Sequence, residues 1–123
     1  MRSKRAMDLL EKAYPKAKHL LRKDWLSRNE ASGISSTGFC YIAAEALFYM
    51  IGGLSSGYKP VCLLEEDGTH WWLAKGRFIL DPTRSQYGDE EPRYHDGRCT
   101  GFLNGYTKPS RRASQLIDIA RGV

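Results

Sequence analysis

The stretch that most constrains the fold is residues 69–83, which read THWWLAKGRFILDPT. Two runs rich in aromatic and aliphatic residues flank Lys75-Gly76, and a two-residue connection containing glycine is typical of a β-hairpin. With that loop, His70 lies directly opposite Asp81, where Cβ atoms are about 4.5–5.5 Å apart. The register therefore predicts a His–Asp hydrogen bond. A four-residue loop centred on the same point keeps this pairing, whereas an odd-length loop shifts it.

The first half of the chain carries helical patterns. Apolar residues recur every three or four positions over 3–28, which predicts either two helices or one kinked helix around Pro15. Residues 29–38 are predicted to form a loop from their composition. A helix is then predicted over 39–51 and ends at the glycine pair 52–53. Because this helix is apolar on most of its surface, we expect it at the centre of the domain.

The second half adds strands and a last helix. A third strand is predicted over 61–65, before the two hairpin strands at 69–75 and 77–81. A polar, glycine-rich segment follows, and Ser110 is expected to cap a helix that ends near Ala120. We therefore predict one α+β domain over residues 1–123, with the central helix packed on a short antiparallel sheet between N-terminal and C-terminal helices.

Cys40 opens the predicted central helix. The positive field of a helix N-terminus favours a thiolate there, and the free N–H groups of the first turn are suited to stabilise an oxyanion. The other cysteines give no such signal: Cys62 is interpreted as a small buried strand residue, and Cys99, in a loop, stays undecided. Three cysteines at these spacings fit neither a disulfide framework nor a zinc site, so we expect free thiols in the cytoplasm and no metal.

Cys40, His70 and Asp81 together supply the residue types that acyl transfer needs. A cysteine attacks an acyl carbon, a histidine takes and returns the proton, and a carboxylate orients the ring and stabilises its charged form. A cross-strand His–Asp pair alone is more often structural. The cysteine, on a helix that must pack against the same sheet, shifts the balance towards catalysis through a thioester.

The pattern resembles the transglutaminase-like branch of the papain-like enzymes. The likeness spans roughly residues 37–87 and rests on GFCY at 38–41, HWW at 70–72 and LDPT at 80–83. The sequence is also similar to small phage-encoded proteins with the same arrangement of motifs. That similarity would imply that the protein is located in the cytoplasm of the host cell.

The resemblance implies a papain-like core and assigns the catalytic roles to Cys40, His70 and Asp81. The chain departs from the family in its shortness, in lacking an acidic calcium-binding cluster and in lacking the papain-type oxyanion glutamine before the nucleophile. Trp25 and Gln86 are the candidates for the second oxyanion donor. Gln86 and Trp72 are also candidates for contacting substrate. Trp72 shares the face of His70, where it either walls the acyl pocket or packs in the core.

Charge and motifs limit the partners. The net charge is +5, and residues 1–30 hold nine Lys or Arg against four Asp or Glu. This basic segment makes nucleic acid a possible but disfavoured partner, because its charges surround a helix without interleaved exposed aromatics. No apolar run is long enough to span a membrane. Neither a Walker loop nor a dinucleotide fingerprint is present, so no cofactor is expected.

Four further polar sites are open to interpretation. Glu45, on the central helix, is either a buried partner for an arginine or a solvated charge. His19 and His95 are predicted to be exposed. Arg111 and Arg112, at the start of the last helix, are candidates for contacting an anion, although anions at helix starts more often meet backbone amides.

Two functions follow from these residues. The first is a cysteine hydrolase or acyltransferase acting on a peptide, protein or small amide, including isopeptide and glutamine-type amides. The second is a binding module or host-directed inhibitor that keeps the fold without turnover. Neither the choice between hydrolysis and transfer nor the oligomeric state follows from the sequence.

Overall fold

The computed structural model describes residues 1–66 and 68–122 of the 123-residue chain. Within these residues it contains four α-helices and one antiparallel sheet, in the strand order β3-β2-β1-β4, so the α+β class is confirmed. No helix in the described part is both long and apolar enough to cross a membrane. The helices are α1 (Ser3–Ala13), α2 (Lys23–Ser32), α3 (Cys40–Met50) and α4 (Arg111–Arg121), and the strands are β1 (Lys59–Glu65), β2 (Gly68–Lys75), β3 (Phe78–Leu80) and β4 (Arg98–Cys99).

The break predicted near Pro15 is confirmed. Two short 3-10 turns, Tyr14–Lys16 and Lys18–Leu20, separate α1 from α2. Pro15 lies in the first turn of the first segment, where its missing N–H costs no hydrogen bond.

The predicted loop at 29–38 is wrong over its first four residues, because α2 continues to Ser32 and ends at Gly33, whose φ is 69°. Glycine takes this left-handed conformation without steric cost, so it marks the end of the helix better than the polar residues before it. Asn29, buried on the last turns of α2, donates to Ser35 O (3.0 Å) and Thr37 O (2.8 Å). These bonds hold the loop that leads into α3.

Helix α3 lies at the centre of the core, as predicted. It packs against β2 on one side and against α1 and α4 on the other. Its N-cap residue, Phe39, is fully buried and stacks on Tyr14 with ring centroids 4.9 Å apart. The start of α3 is therefore fixed by aromatic packing, since Phe39 has no side-chain oxygen to cap it.

The hairpin forms with a different turn from the one predicted. The loop is Gly76-Arg77, and Leu73 pairs with Leu80. Gly76 has a φ of 60° and stands first in the loop, the position that a type II′ turn gives to glycine. The register is shifted by two residues, so His70 and Asp81 keep the predicted face although they are not directly opposite.

The C-terminal helix is capped as predicted. Ser110 Oγ accepts from Ala113 N–H at 3.3 Å. Glu45 is fully buried and accepts from Ser110 N–H (2.6 Å) and Ser110 Oγ–H (2.8 Å). Neither open interpretation of Glu45 holds, because its partner is the cap of α4 and not an arginine or solvent. This contact ties α3 to α4.

Candidate active site

The hydrogen bond between His70 and Asp81 is formed. His70 Nε2 lies 2.7 Å from Asp81 Oδ2, and the two side chains are only 1% and 3% exposed. Because β3 ends at Leu80, Asp81 sits just beyond the strand and is a diagonal neighbour of His70. Diagonal pairs lie within reach of long side chains. The prediction of the bond is confirmed, whereas the directly opposed register is wrong.

Both carboxylate oxygens of Asp81 accept further hydrogen bonds. Tyr94 Oη donates to Oδ2 at 2.9 Å, and Thr83 N–H donates to Oδ1 at 3.2 Å. Burial and the neighbouring Asp81 raise the pKa of Tyr94, so its hydroxyl stays a donor. The carboxylate is thus held in one orientation towards the imidazole.

The other nitrogen of His70 is bonded to Gln86. Gln86 Nε2 lies 2.8 Å from His70 Nδ1. When the amide donates to Nδ1 and Nε2–H donates to Asp81, the ring is neutral with its proton on Nε2. Tyr87 packs edge-on against the ring, with centroids 4.7 Å apart. Gln86 was predicted to contact substrate; here its amide covers the nitrogen that a general base would use.

Cys40 is the first residue of α3, and its Sγ donates to Thr69 O at 3.2 Å. Among the described residues, no hydrogen bond joins Cys40 Sγ to His70. Burial raises the pKa of the thiol from 9.0 to about 11, although the backbone N–H groups of Trp71 and Tyr41 lower it. The first-turn N–H of Tyr41 thus favours the thiolate, as expected at the start of a helix, but loss of hydration outweighs this effect.

A cavity of about 510 Å³ opens beside the sulfur. Cys40, Thr69, Gln86 and Tyr87 line it, together with Trp25. Both candidates for the second oxyanion donor therefore face the same space as the thiol. We call this space the thiol cavity.

The rim of the thiol cavity carries charge. Glu65, Glu66 and Arg93 lie on it, and Tyr87 Oη donates to Glu65 Oε1. Two carboxylates against one guanidinium make this end of the site acidic.

Trp72 packs in the core, which is the second of the two places predicted for it. It shares the face of His70, as the alternation along β2 requires, with ring centroids 5.4 Å apart. That face points away from α3, because Trp71 and Leu73 occupy the side that packs on the helix. Trp72 is 1% exposed and packs on Tyr94, and it is not among the described residues that line the thiol cavity. It supports the imidazole from behind instead of walling the acyl pocket.

The remaining candidates lie outside this site. His19 and His95 are exposed, as predicted, and His95 Nε2 lies 3.4 Å from Asp96 Oδ1. Cys62 is partly buried opposite Trp71 in the sheet, and Cys99 is exposed. Within the described residues no group of three His, Cys, Asp or Glu side chains is placed to hold a metal ion.

Comparison with known proteins adds no relative. No family model matches the chain, and neither a curated protein nor a solved structure matches it. The chemistry of the site must therefore be argued from its geometry.

Proposed function

We propose that the chain is a cysteine-nucleophile acyl-transfer enzyme with Cys40 as nucleophile, His70 as general base and acid, and Asp81 as the residue that orients His70. One observation carries the proposal: a buried 2.7 Å His–Asp hydrogen bond adjoins, through Gln86, a cavity lined by the cysteine that opens the central helix. We further propose that the fold belongs to the transglutaminase-like branch of the papain-like enzymes. The chain order Cys, His, Asp and the sequence Asp-Pro-Thr support that assignment.

The chemistry starts from a protonated thiol. When a substrate amide enters the thiol cavity and Gln86 leaves His70 Nδ1, that nitrogen takes the proton of Cys40 Sγ while the sulfur bonds to the carbonyl carbon. The C–N bond then breaks, His70 returns the proton to the departing amine, and a thioester remains on Cys40. Water or a second amine bonds to the thioester carbon and the C–S bond breaks. The proton of the attacking group passes through His70 to the sulfur, which restores the thiol and releases the acid or the new amide.

Two hydrogen-bond donors are suited to stabilise the oxyanion that forms in this reaction. The first backbone hydrogen bond into α3 runs from Ala43 N–H to Phe39 O, so the N–H of Cys40 has no acceptor within the helix. Gln86 lines the same cavity and is freed when it leaves the ring. The proposal thus gives Gln86 two successive roles, as cover for Nδ1 and then as second oxyanion donor.

The nucleophile of this enzyme must stay a free thiol, so the proposal places the protein in a reducing compartment such as the cytoplasm. All three cysteines are free. Peptides, proteins and small amides are the proposed substrates.

The second candidate function is a binding module that does not turn over. The specific observation in its favour is the resting state of the thiol, whose pKa is raised to about 11 while its sulfur donates to Thr69 O. If Gln86 never leaves Nδ1, Cys40 has no base within the site.

Acylation by p-nitrophenyl acetate separates the two functions. In this reaction Sγ bonds to the acetyl carbon, the bond to p-nitrophenolate breaks, and the thiol proton passes through His70 to solvent. We expect an acetyl group on Cys40, mapped by mass spectrometry and removed by hydroxylamine. We expect His70→Ala to slow its formation about hundredfold.

His95→Ala is the matched control, because it removes an exposed imidazole that does not line the thiol cavity and should leave the rate unchanged. Asp81→Asn provides a second, milder variant if His70→Ala unfolds, and it should slow acylation as well. Equal acetylation of Cys40 and Cys62, or a rate insensitive to both site variants, would reject the enzyme and favour the binding module.

A further inference from the structure

A second hollow lies next to the thiol cavity. It has a volume of about 550 Å³ and runs from the end of the second 3-10 turn, past the first turn of α3, to the start of α4. Trp25, Gly38 and Thr69 line both hollows. The two spaces are therefore adjacent, and we call the second one the basic groove.

The floor of the basic groove is apolar and largely aromatic. Tyr41 stands edge-on to Trp71, with centroids 4.8 Å apart, and Leu21 and Ile42 extend this surface. Leu103 closes one side and is 92% exposed, while its N–H is bonded to Tyr41 Oη at 2.8 Å. A large exposed apolar side chain beside an apolar floor is typical of a surface that buries a ligand.

The groove carries three positive charges. Arg22, Arg111 and Arg112 line it and all three are exposed. None of their guanidinium groups makes a hydrogen bond or ion pair with a described residue. Of the acidic groups near them in sequence or structure, Glu45 is buried and bonded to the cap residue of α4, and Asp24, two residues after Arg22, forms no ion pair with any of the three arginines. The guanidinium groups are thus available to a ligand carboxylate, for which their planar donors are well suited.

We propose that the basic groove binds an acidic peptide segment of the substrate, with an apolar side chain on the aromatic floor and a carboxylate at the arginines. The two neighbouring hollows differ in charge, because Glu65 and Glu66 lie at the thiol cavity. The acidic residue of the substrate consequently lies away from the reacting acyl group. Two adjacent hollows fit an extended chain better than a compact molecule, and the apolar floor favours a peptide over a nucleic acid, whose phosphates need no such surface.

This inference rests on the proposed function only in placing the reacting acyl group at Cys40; binding itself needs no chemistry. It is tested with the full chain carrying Cys40→Ala, so that nothing is acylated. The probe is a fluorescein-labelled decapeptide with one leucine followed by two glutamates, read by fluorescence anisotropy. Matched peptides carry two glutamines or two lysines, and a labelled single-stranded RNA is the nucleic-acid probe.

We expect the glutamate peptide to bind about tenfold more tightly than the glutamine peptide, and the lysine peptide to bind more weakly still. The double change Arg111→Gln with Arg112→Gln should remove that preference. Arg121→Gln, at the other end of the same helix, is the matched control and should have no effect. Leu103→Ser should weaken binding of the glutamate peptide several-fold. A purely electrostatic contact would not show this loss of affinity.

Equal affinity for the three peptides would overturn the inference, as would an RNA that binds more tightly than the glutamate peptide and depends on the same arginines. The two proposals fail separately. If Cys40 is acylated but the glutamate peptide is not preferred, peptide binding in the basic groove is rejected and the enzyme proposal is kept. A glutamate preference without acylation rejects the enzyme and keeps the groove as a binding site.

Discussion

The two halves of the candidate site differ in how their polar atoms are bonded. In the imidazole half, made of His70, Asp81, Gln86 and Tyr94, both ring nitrogens and both carboxylate oxygens are bonded, at 2.7–3.2 Å. In the thiol half, Cys40 has one bond from its sulfur, to a backbone carbonyl at 3.2 Å. The first half is thus a closed hydrogen-bond network around the imidazole, whereas the second is a thiol bonded to the backbone.

Under the proposed function, activation would occur where the two halves meet. Asp81 already fixes the orientation of the His70 ring. What separates the halves is Gln86, which lines the thiol cavity and at the same time covers Nδ1. A ligand that competes for the amide of Gln86 would free the base at the moment it reaches the sulfur. Substrate entry and activation of the nucleophile would then be one event.

The largest expected effect comes from removing the centre of the imidazole half. Asp81→Ala leaves His70 Nε2–H, Tyr94 Oη and Thr83 N–H without their acceptor in a buried site. We expect the free energy of unfolding to fall by about 3 kcal/mol, measured by urea denaturation. Asp96→Ala, which removes an exposed carboxylate paired with Arg93, should cost at most about 0.5 kcal/mol. Equal losses for the two variants would contradict the comparison.

The next largest effect is the pH dependence of Cys40 alkylation in the thiol half. Because burial raises the pKa of Cys40 to about 11, the folded protein keeps the thiol protonated where an ordinary cysteine has begun to ionise. Its thiolate fraction at neutral pH is then about hundredfold lower than that of an ordinary cysteine. We expect alkylation of Cys40 by iodoacetamide to rise about tenfold per pH unit up to about pH 11, and its midpoint to return to about 9.0 in urea.

Labelling is followed by peptide mass spectrometry, with Cys40→Ser as the blank for that peptide. A fast rate that is flat across neutral pH would mean that Cys40 and His70 rest as an ion pair. In that case the two halves would not differ as described, and the protonated starting state of the proposed mechanism would be wrong.

Part of this site follows from the sequence alone. The alternation of β2 puts His70 and Trp72 on one face, and any even-length loop puts Asp81 on that face too, so the pair survives the shift to the Gly76-Arg77 turn. The turn itself was mispredicted because glycine can stand first or second in a two-residue loop. Cys40 at the helix start was predicted from the apolar run that follows it.

The rest depends on packing over long sequence distances. The pKa of Cys40 is set by burial, which no local pattern encodes. Tyr94 was missed because it lies in a polar segment without periodicity, in a single 3-10 turn, and only the folded chain brings it to Asp81. Gln86 was named as a candidate, but its bond to His70 could not be inferred from its position five residues after Asp81.

A smaller effect tests whether Gln86 separates the halves. Gln86→Ala frees His70 Nδ1 on the side of the thiol cavity, so we expect alkylation of Cys40 at pH 7 to rise about tenfold. The gain should vanish when His70→Gln is added. Gln115→Ala, on the exposed face of α4, is the control. An unchanged rate in Gln86→Ala would show that Gln86 is not what keeps the base from the thiol.

The smallest effect tests how far the imidazole half depends on Tyr94, the third hydrogen-bond donor to Asp81. Tyr94→Phe removes one hydrogen bond to Asp81 Oδ2 and leaves those from His70 and Thr83, so we expect a loss of about 1 kcal/mol in urea denaturation. Tyr106→Phe removes a hydroxyl that bonds to no described residue and should be neutral. If Tyr94 also positions His70 through Asp81, Tyr94→Phe slows acylation by p-nitrophenyl acetate several-fold while alkylation of Cys40 stays unchanged. A loss of stability with no change in acylation would make Tyr94 a structural donor only, because the remaining two bonds then suffice to orient the ring.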